Sequence, residues 1–271
     1  MRHLLFAIQF LTIIPVKVKG AYSQDDLARS ASFFPVAGAV QGILIVVAAY
    51  MALTLFTVDI ASVFVITVLL LSDGGFDVDG LIDTFDALAV KSTGNSDRDI
   101  GKRLLVMKES SIGAIGASAL VISVLLKFVL LNHFLRFTTL PAVLACLFIV
   151  PVFSKWVTVI AVFQGLPARK NGLGRIFIEG VRQKEVVLSS MILLLLYLIA
   201  TVPIFYPHYL LQGIGLFAVI LMPAYLLVLV TIRFTLVKFG GLTGDHLGAL
   251  SECTEILLLA VIPAWLQHST L

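Results

Sequence analysis

Long runs of apolar residues alternate with short polar stretches along the whole chain. The runs cover residues 33–56, 60–71, 112–134, 140–163, 186–206, 214–234 and 247–266, and a shorter run covers residues 4–16. A helix needs about 20 apolar residues to cross a bilayer, so the pattern predicts seven or eight spanning helices. The runs 4–16 and 60–71 are short, and each could be re-entrant or extend into its flanking residues. We expect residues 4–16 to be a retained membrane segment rather than a cleaved leader.

The composition excludes several classes of protein. Of the 271 residues, 59% are hydrophobic and 13% are charged, and the mean hydropathy is +1.06, whereas an average soluble domain is about 25% charged. Too few polar side chains are present to cover a soluble fold, which argues against a cytosolic enzyme, a disordered chain or a nucleic-acid-binding protein. We predict an all-α, polytopic membrane bundle formed by residues 1–271 as a single domain. It would contact membrane lipid, and homo-oligomerisation is left open.

Basic residues indicate how the bundle is oriented. Fourteen of the nineteen lysines and arginines lie in four segments, 17–32, 73–109, 165–185 and 235–246. The opposite side would hold only Arg2 and Arg136. The positive-inside rule therefore predicts that the four segments are cytoplasmic, in an inner membrane. With eight spans both chain ends lie outside, and with seven spans one end changes sides.

The acidic residues concentrate in one place. Eight of the sixteen lie between Asp73 and Glu109, and three of these, Asp79, Asp83 and Asp86, follow an i, i+4, i+7 spacing that puts them on one helix face. Carboxylates on one face repel one another unless a cation lies among them, and a hard divalent cation prefers oxygen ligands. The alternative is a solvated acidic helix face. The two remaining acids of this helix, Asp73 and Asp77, point elsewhere and are weaker candidates.

Two further stretches are suited to anion binding. The segment LPARKNGLGRIF (166–177) sets Arg169 and Arg175 around Asn171 and Gly172, and guanidinium groups with free backbone N–H groups are typical of phosphate sites. Lys108 precedes a glycine-spaced helix and could contact a phosphate as a point charge. Each of these basic residues could equally serve only to orient the protein in the membrane.

The segment KFGGLTGDHLGALSECTE (238–255) brings further acids next to an apolar helix. Asp245 and His246 follow the flexible turn GGLTG, and His246 is a candidate general base, although a lone histidine is more often structural. Glu252 and Glu255 lie deeper in the helix, where acids are costly in lipid and therefore functional candidates. Alternatively, a glutamate pairs with one of the two lysines predicted inside spans, Lys127 and Lys155.

These stretches, in this order, resemble the cobalamin synthase family, also called adenosylcobinamide-GDP ribazoletransferase. The resemblance rests on FLTIIPV (10–16), FFPVAGAVQG (33–42), GGFDVDGLIDTFDAL (74–88), RDIGKRLLVMKESSIGAIG (98–116), ARKNGLG (168–174) and GGLTGDHLGALSECTE (240–255). It covers nearly the whole chain, and the acidic and TGD stretches are its specific parts. The chain departs from the family pattern at four positions, where Asp77 replaces a histidine, Ala87 a glycine, Glu109 an aspartate and Ser111 a basic residue.

The resemblance implies a magnesium-dependent transferase with small-molecule substrates. Such an enzyme joins adenosylcobinamide-GDP to α-ribazole, or to its 5′-phosphate, and releases GMP. With the residues above, it predicts a Mg²⁺ site and a substrate site on the cytoplasmic face. The predicted metal ligands are Asp79, Asp83, Asp86 and Asp245; the predicted catalytic residues are Asp83, Asp86 and His246; and the predicted substrate contacts are Lys108, Arg169, Asn171, Gly172 and Arg175.

Two other functions stay open at this point. A CDP-alcohol phosphotransferase-like lipid enzyme also carries acids at a membrane surface, but the fuller signature DG-x₂-AR followed by G-x₃-D-x₃-D is absent here. A cation transporter would place its acids near the middle of the bilayer, on broken helices. The richest acidic cluster of this chain follows a span instead, at its edge.

Overall fold

The computed structural model describes residues 1–18, 20, 22–109, 111–205 and 210–268. Within these residues the secondary structure is helical, apart from one isolated bridge between Pro167 and Leu242. Lys19, Ser110 and Tyr206, which belong to predicted segments, lie outside the described residues. In chain order the α-helices are α1 (Arg2–Leu11), α2 (Gln24–Ser30), α3 (Phe34–Leu55), α4 (Val58–Ser72), α5 (Phe76–Leu88), α6 (Ser96–Val106), α7 (Ala114–Phe137), α8 (Leu140–Gln164), α9 (Leu173–Gly180), α10 (Gln183–Phe205), α11 (Leu210–Phe239) and α12 (Gly244–His268).

Six of the described helices are long and apolar enough to cross a membrane, namely α3 (with the short α2 before it), α7, α8, α10, α11 and α12. A seventh span is formed if α4 and α5, which meet at a bend of 84°, are counted together. The run at 4–16 becomes only the ten-residue helix α1, about 15 Å long, which is half the thickness of the hydrocarbon core. The predicted all-α, polytopic membrane fold is confirmed, with six or seven candidate spans.

Helix α8 forms the centre of the bundle. Its residues from Ile149 to Val162 are all buried, and α3, α10, α11 and α12 pack around it. Two glycines of α3 make the closest of these contacts possible. A Cβ atom at Gly38 would overlap the carbonyl oxygen of Pro151, and one at Gly42 would lie 2.6 Å from that of Phe148. Small residues allow helix backbones to approach in this way inside membranes.

The four basic segments meet at one end of the bundle. Segment 165–172 pairs with segment 240–243, since Ala168 N–H donates to Leu242 C=O at 2.9 Å. Arg103, on α6, donates to the carbonyl oxygen of Lys238 at 2.8 Å. At the same end, α2 packs against α9, where a Cβ atom at Gly180 would overlap Ala28. The segments that the sequence assigns to one side of the membrane therefore lie together.

A fully buried lysine ties α7 to α12. Lys127 Nζ lies 2.8 Å from Glu252 Oε2 and 2.6 Å from Glu255 Oε2, and Ser123 donates to the other oxygen of Glu252 at 2.6 Å. A charge removed from water is tolerated when it is paired and hydrogen-bonded. Of the two interpretations left open for these glutamates, the structure shows pairing with a lysine.

Removing this lysine should destabilise the bundle strongly. We expect Lys127→Met to lower the free energy of unfolding by roughly 3–5 kcal/mol, because it leaves two buried carboxylates without a counter-charge. The measurement is thermal unfolding in detergent. Lys184→Met is the matched control, since Lys184 is 64% exposed and lies 3.7 Å from its acidic neighbour Glu185; it should cost less than about 1 kcal/mol. Equal melting temperatures for the two variants would contradict the proposed role of Lys127.

Candidate functional site

The acidic helix α5 begins at a sharp bend that two glycines permit. Gly74 and Gly75 both adopt left-handed backbone conformations, with φ of 72° and 80°, which residues other than glycine rarely adopt. Asp73 caps the turn, because its carboxylate accepts hydrogen bonds from the backbone N–H groups of Gly75 at 2.9 Å and Asp77 at 3.3 Å. The bend turns α5 away from α4 and lays it against α12.

Close packing of α5 on α12 assembles the acids of two distant segments. A Cβ atom at Gly80 would overlap the carbonyl oxygen of Asp245, and one at Gly248 would lie 3.1 Å from the backbone of Asp77. These two glycines therefore allow the helix backbones to touch. As a result the α5 acids lie next to Asp245, which begins α12.

The resulting cluster contains more negative than positive charge. The carboxylates of Asp79, Asp245 and Asp86 all repel that of Asp83, and the guanidinium of Arg169 attracts it. Arg169 Nη1 lies 3.3 Å from Asp245 Oδ2. One guanidinium thus faces several carboxylates. The structure brings together predicted site residues from three separate stretches, 74–88, 168–174 and 240–255.

The chemistry of this cluster fits a hard divalent cation. Its side chains offer carboxylate oxygens, which Mg²⁺ and Ca²⁺ prefer, and they carry uncompensated negative charge. In the part of the chain that the structure describes, however, no three His, Cys, Asp or Glu side chains converge closely enough to hold a metal ion. The carboxylates would have to move towards one another to enclose a cation.

Asp86 differs from the other acids of the α5 face because both of its oxygens are engaged. They accept the backbone N–H groups of Gly113 and Gly116, each at 2.7 Å. These groups belong to the first turn of α7, where N–H groups have no partner within the helix and a negative charge is favourable. These contacts anchor α7 to α5. The predicted metal and catalytic roles of Asp86 stay predictions.

A cavity of about 230 Å³ lies beside the acid cluster, and its lining is mostly apolar. Of the predicted substrate contacts, Arg169, Asn171, Gly172 and Arg175 line it, as does Asp245. Asp79, Asp83 and Asp86 do not. The Nε and Nη2 atoms of Arg169 are buried and have no hydrogen-bond partner among the described residues. Buried donors are nearly always paired, so Arg169 is a candidate contact for an anionic ligand beside the cavity.

Arg175 has partners of its own at the mouth of this cavity. Its Nε donates to Glu179 at 2.8 Å, one helical turn further along α9, and its Nη1 contacts the carbonyl oxygen of Lys170. Gly172 precedes α9 with a φ of 116°, a conformation that favours glycine. These contacts fold the segment 170–175 into a compact turn at the cavity mouth.

His246 and Lys108 do not line the cavity either. His246 is buried, its Nδ1 accepts a hydrogen bond from the backbone N–H of Thr243 at 3.0 Å, and its ring packs on that of Phe239 at 4.3 Å. Lys108 is exposed beyond the end of α6 and forms no ion pair with the described residues. A general-base role for His246 and a phosphate contact for Lys108 are not tested by these positions and stay predictions.

The helix that leads to Lys108 is held by an aspartate that its sequence context does not distinguish from the neighbouring acids. Asp99, on α6, accepts hydrogen bonds from Ser92 Oγ at 2.6 Å, Thr93 N–H at 2.8 Å and Thr93 Oγ1 at 2.7 Å. These bonds, those from the two side chains most strongly, lower the pKa of Asp99 to about 2. The carboxylate is therefore ionised at any physiological pH, and it fixes the loop between α5 and α6.

A second buried ion pair, also missed, closes the inner end of the cavity. Lys155 Nζ contacts Asp77 Oδ2 and lies 3.3 Å from Ser251 Oγ and 3.9 Å from Asp73 Oδ2. Ser251 also donates to Asp77 at 2.6 Å. The signal was present, since Lys155 is a lone charge within an apolar run, but a sequence does not show which acid it meets. Asp77 of this pair stands at one of the four positions at which this chain departs from the family pattern.

These features define a polytopic membrane protein with an acidic, arginine-bearing candidate ligand site at one end of its bundle. The family model described as Cobalamin-5-phosphate synthase matches residues 3–263. The chain therefore belongs to this family, and the resemblance seen in its motifs is confirmed.

Curated relatives agree over almost their whole length. An adenosylcobinamide-GDP ribazoletransferase of Thermodesulfovibrio yellowstonii is 35% identical over 264 residues, which cover 94% of this chain and 93% of the relative. One from Clostridium tetani is 30% identical, covering 97% of both chains. One from Herpetosiphon aurantiacus is 32% identical, covering 100% of this chain and 99% of the relative. No solved structure matches the chain.

The anchoring role of Asp86 leads to a prediction about its two glycine partners. A Cβ atom at Gly113 or Gly116 would overlap the Asp86 carboxylate, and one at Gly116 would also lie 2.8 Å from Ile82. We expect Gly113→Ala and Gly116→Ala each to cost roughly 1–3 kcal/mol of stability, because α5 and α7 must separate. Thermal unfolding measures the cost.

Gly101→Ala provides the matched control. Gly101 lies on α6, and a Cβ atom there would meet nothing within 4 Å. Alanine also has the higher helix propensity, so this variant should be neutral or more stable by up to about 1 kcal/mol. If the Gly116→Ala protein melts as Gly101→Ala does, the close contact with Asp86 does not hold the two helices together.

Proposed function

We propose that this chain is an adenosylcobinamide-GDP ribazoletransferase. It joins adenosylcobinamide-GDP to α-ribazole or its 5′-phosphate and releases GMP. The observation that carries the proposal is the convergence of Asp83, Asp245 and Arg169, from three of the motif-bearing stretches, beside one cavity. Membership of the family supports it. Both substrates are small molecules, and nucleic acid has no part in the reaction.

The reaction is a group transfer at phosphorus. A hydroxyl oxygen of the ribazole sugar forms a bond to the phosphorus atom that carries cobinamide. The bond between that phosphorus and the oxygen bridging to the guanosine phosphate breaks, and both of its electrons leave with GMP. The hydroxyl proton passes to a base of the protein. Negative charge grows on the leaving phosphate, so groups that stabilise this charge accelerate the reaction.

Arg169 is the best-placed group to hold the diphosphate. It has two buried donors without a partner among the described residues, and guanidinium groups bind phosphate oxygens through paired hydrogen bonds. Arg175, Asn171 and Gly172 would complete the binding surface at the cavity mouth.

The proton acceptor that we propose is Asp83. It lies among the acids of α5, is only partly buried and faces Arg169. Asp86, with both oxygens engaged by backbone N–H groups, is the less suitable acid. His246 is buried, and its Nδ1 already accepts a hydrogen bond from the backbone N–H of Thr243.

The proposed cofactor is Mg²⁺, held by Asp79, Asp83 and Asp245. When bound, it would supply positive charge against the diphosphate and the leaving phosphate. The excess of carboxylates in the cluster supports this assignment. For localisation, we propose an inner membrane with the four basic segments in the cytoplasm, as the positive-inside rule favours.

A single substitution tests the role of the acid cluster. Asp83→Asn should lower GMP release from adenosylcobinamide-GDP and α-ribazole by at least about 100-fold, since it removes both a charge and a proton acceptor. The assay uses membranes containing equal amounts of each protein. Asp97→Asn, in the exposed first turn of α6, is the control and should keep wild-type activity. Activity of the Asp83→Asn protein equal to that of the wild type would exclude the proposed role.

Metal dependence is tested separately. Treatment of the same membranes with EDTA should abolish GMP release, and added Mg²⁺ should restore it, because the acids and the diphosphate repel one another without a cation. Undiminished release in EDTA would rule out the metal proposal while leaving the transferase activity standing. Cation uptake into vesicles without any GMP release would instead favour the transporter alternative.

A further inference from the structure

The cavity beside the acid cluster has one aromatic wall. Four phenylalanines from four helices line it, namely Phe10 of α1, Phe34 of α3, Phe76 of α5 and Phe177 of α9. The ring centroid of Phe10 lies 5.2 Å from that of Phe177, 5.7 Å from that of Phe76 and 6.2 Å from that of Phe34. Rings at such distances form a continuous surface against which a flat aromatic group can pack.

The polar groups at the inner end of this cavity already have partners. Asp77 and Lys155 pair with each other and with Ser251. Thr158, the next polar residue of the lining, donates its hydroxyl hydrogen to the carbonyl oxygen of Lys155 at 2.7 Å. The inner end therefore offers shape and apolar contact but few hydrogen-bonding groups to spare, whereas the unpartnered donors belong to Arg169, beside Asp245.

We propose that this cavity binds the acceptor nucleoside, with its aromatic base against the four phenylalanines and its sugar towards Arg169 and Asp245. This assignment rests on the proposed function and names the subsite of one of its two substrates. The cavity has aromatic residues for the base and the polar residues Arg169 and Asp245 for the sugar. A benzimidazole riboside has an apolar outer edge at one end and hydroxyl or phosphate groups at the other.

The two parts of the donor substrate fit this cavity less well. Guanine carries a carbonyl group and several N–H groups on its outer edge, and burying them against phenylalanines would leave them without hydrogen bonds at a considerable cost. A corrinoid is much larger than a cavity of about 230 Å³. The apolar edge of a benzimidazole carries no such penalty.

The orientation of the nucleoside follows from the residues at the boundary. Asp245 lines the cavity and also belongs to the acid cluster. Its partner Arg169 lines the cavity too and attracts the carboxylate of Asp83. With the base at the aromatic end, the sugar hydroxyls lie at the boundary that these two residues share. The acceptor oxygen would then face the carboxylates, which the transfer reaction requires.

Equilibrium binding of α-ribazole to the full chain in lipid nanodiscs tests the assignment without turnover. Phe177→Leu should weaken α-ribazole binding about tenfold or more, a change that corresponds to 1.4 kcal/mol. Phe76→Leu should weaken it several-fold, and since Phe76 is 39% exposed, this variant reports on binding even if Phe177→Leu is unstable. Binding of adenosylcobinamide-GDP should change less than about twofold in both variants. Phe64→Leu, at an exposed ring on α4 stacked on Phe56, is the matched control and should leave both affinities unchanged.

Each result separates the acceptor subsite from the proposed function. Loss of adenosylcobinamide-GDP binding in the phenylalanine variants, with α-ribazole binding intact, would assign the cavity to the donor and overturn the proposal. No binding of α-ribazole to the wild-type chain would overturn it as well. Wild-type binding that Phe76→Leu and Phe177→Leu weaken supports it. If the same wild-type protein then releases no GMP, the transferase function fails while the nucleoside subsite stands.

Discussion

The contact between α5 and α12 is the constraint on which the site depends. Gly80 and Gly248 lie where any larger residue would push the two backbones apart. Their closeness sets the α5 acids beside Asp245 and places Asp77 within hydrogen-bonding distance of Ser251. One packing interface therefore determines both the acidic cluster on one side of α5 and the ion pair on the other. Separating the helices would weaken both at once, since Asp245 of the cluster and Ser251, which donates to Asp77, both belong to α12.

The few charges of this chain that lie inside the bundle are paired with one another. Inside the bundle, Lys127 and Lys155 each lie close to two carboxylates. The acids that pair with them belong to helices that are far apart from them in the sequence. An unpaired charge in such surroundings would be several kcal/mol less stable, so each pair specifies which helices adjoin. The acids at the cavity are different, because several of them share the single guanidinium of Arg169. Pairing satisfies the buried charges of the interior, whereas the acid cluster keeps an excess of negative charge.

The apolar runs predicted the spanning helices well. A helix in lipid needs a continuous run of apolar residues, and such a run is visible in a single sequence. The clustering of Asp79 and Asp83 on one face was also predictable, since helical periodicity is local. The bend at Gly74 and Gly75 and the pairing of Lys155 with Asp77, 78 residues apart, were not. Such contacts depend on which helices pack together, and the apolar pattern of a helix does not show which other helix it packs against. Lone charges within spans indicate that a partner exists without identifying it.

The same electrostatics bears on how a diphosphate could approach this site. Carboxylates and phosphates are both anionic, and at about 4 Å two like charges repel by several kcal/mol when partly shielded from water. Arg169, with two donors that lack a partner among the described residues, offsets only part of this repulsion. Its positive charge is already shared with the carboxylate of Asp245. A dicationic metal would remove the remainder and would draw the acids together as it bound. The proposed dependence on Mg²⁺ therefore rests on the charge balance of the cluster.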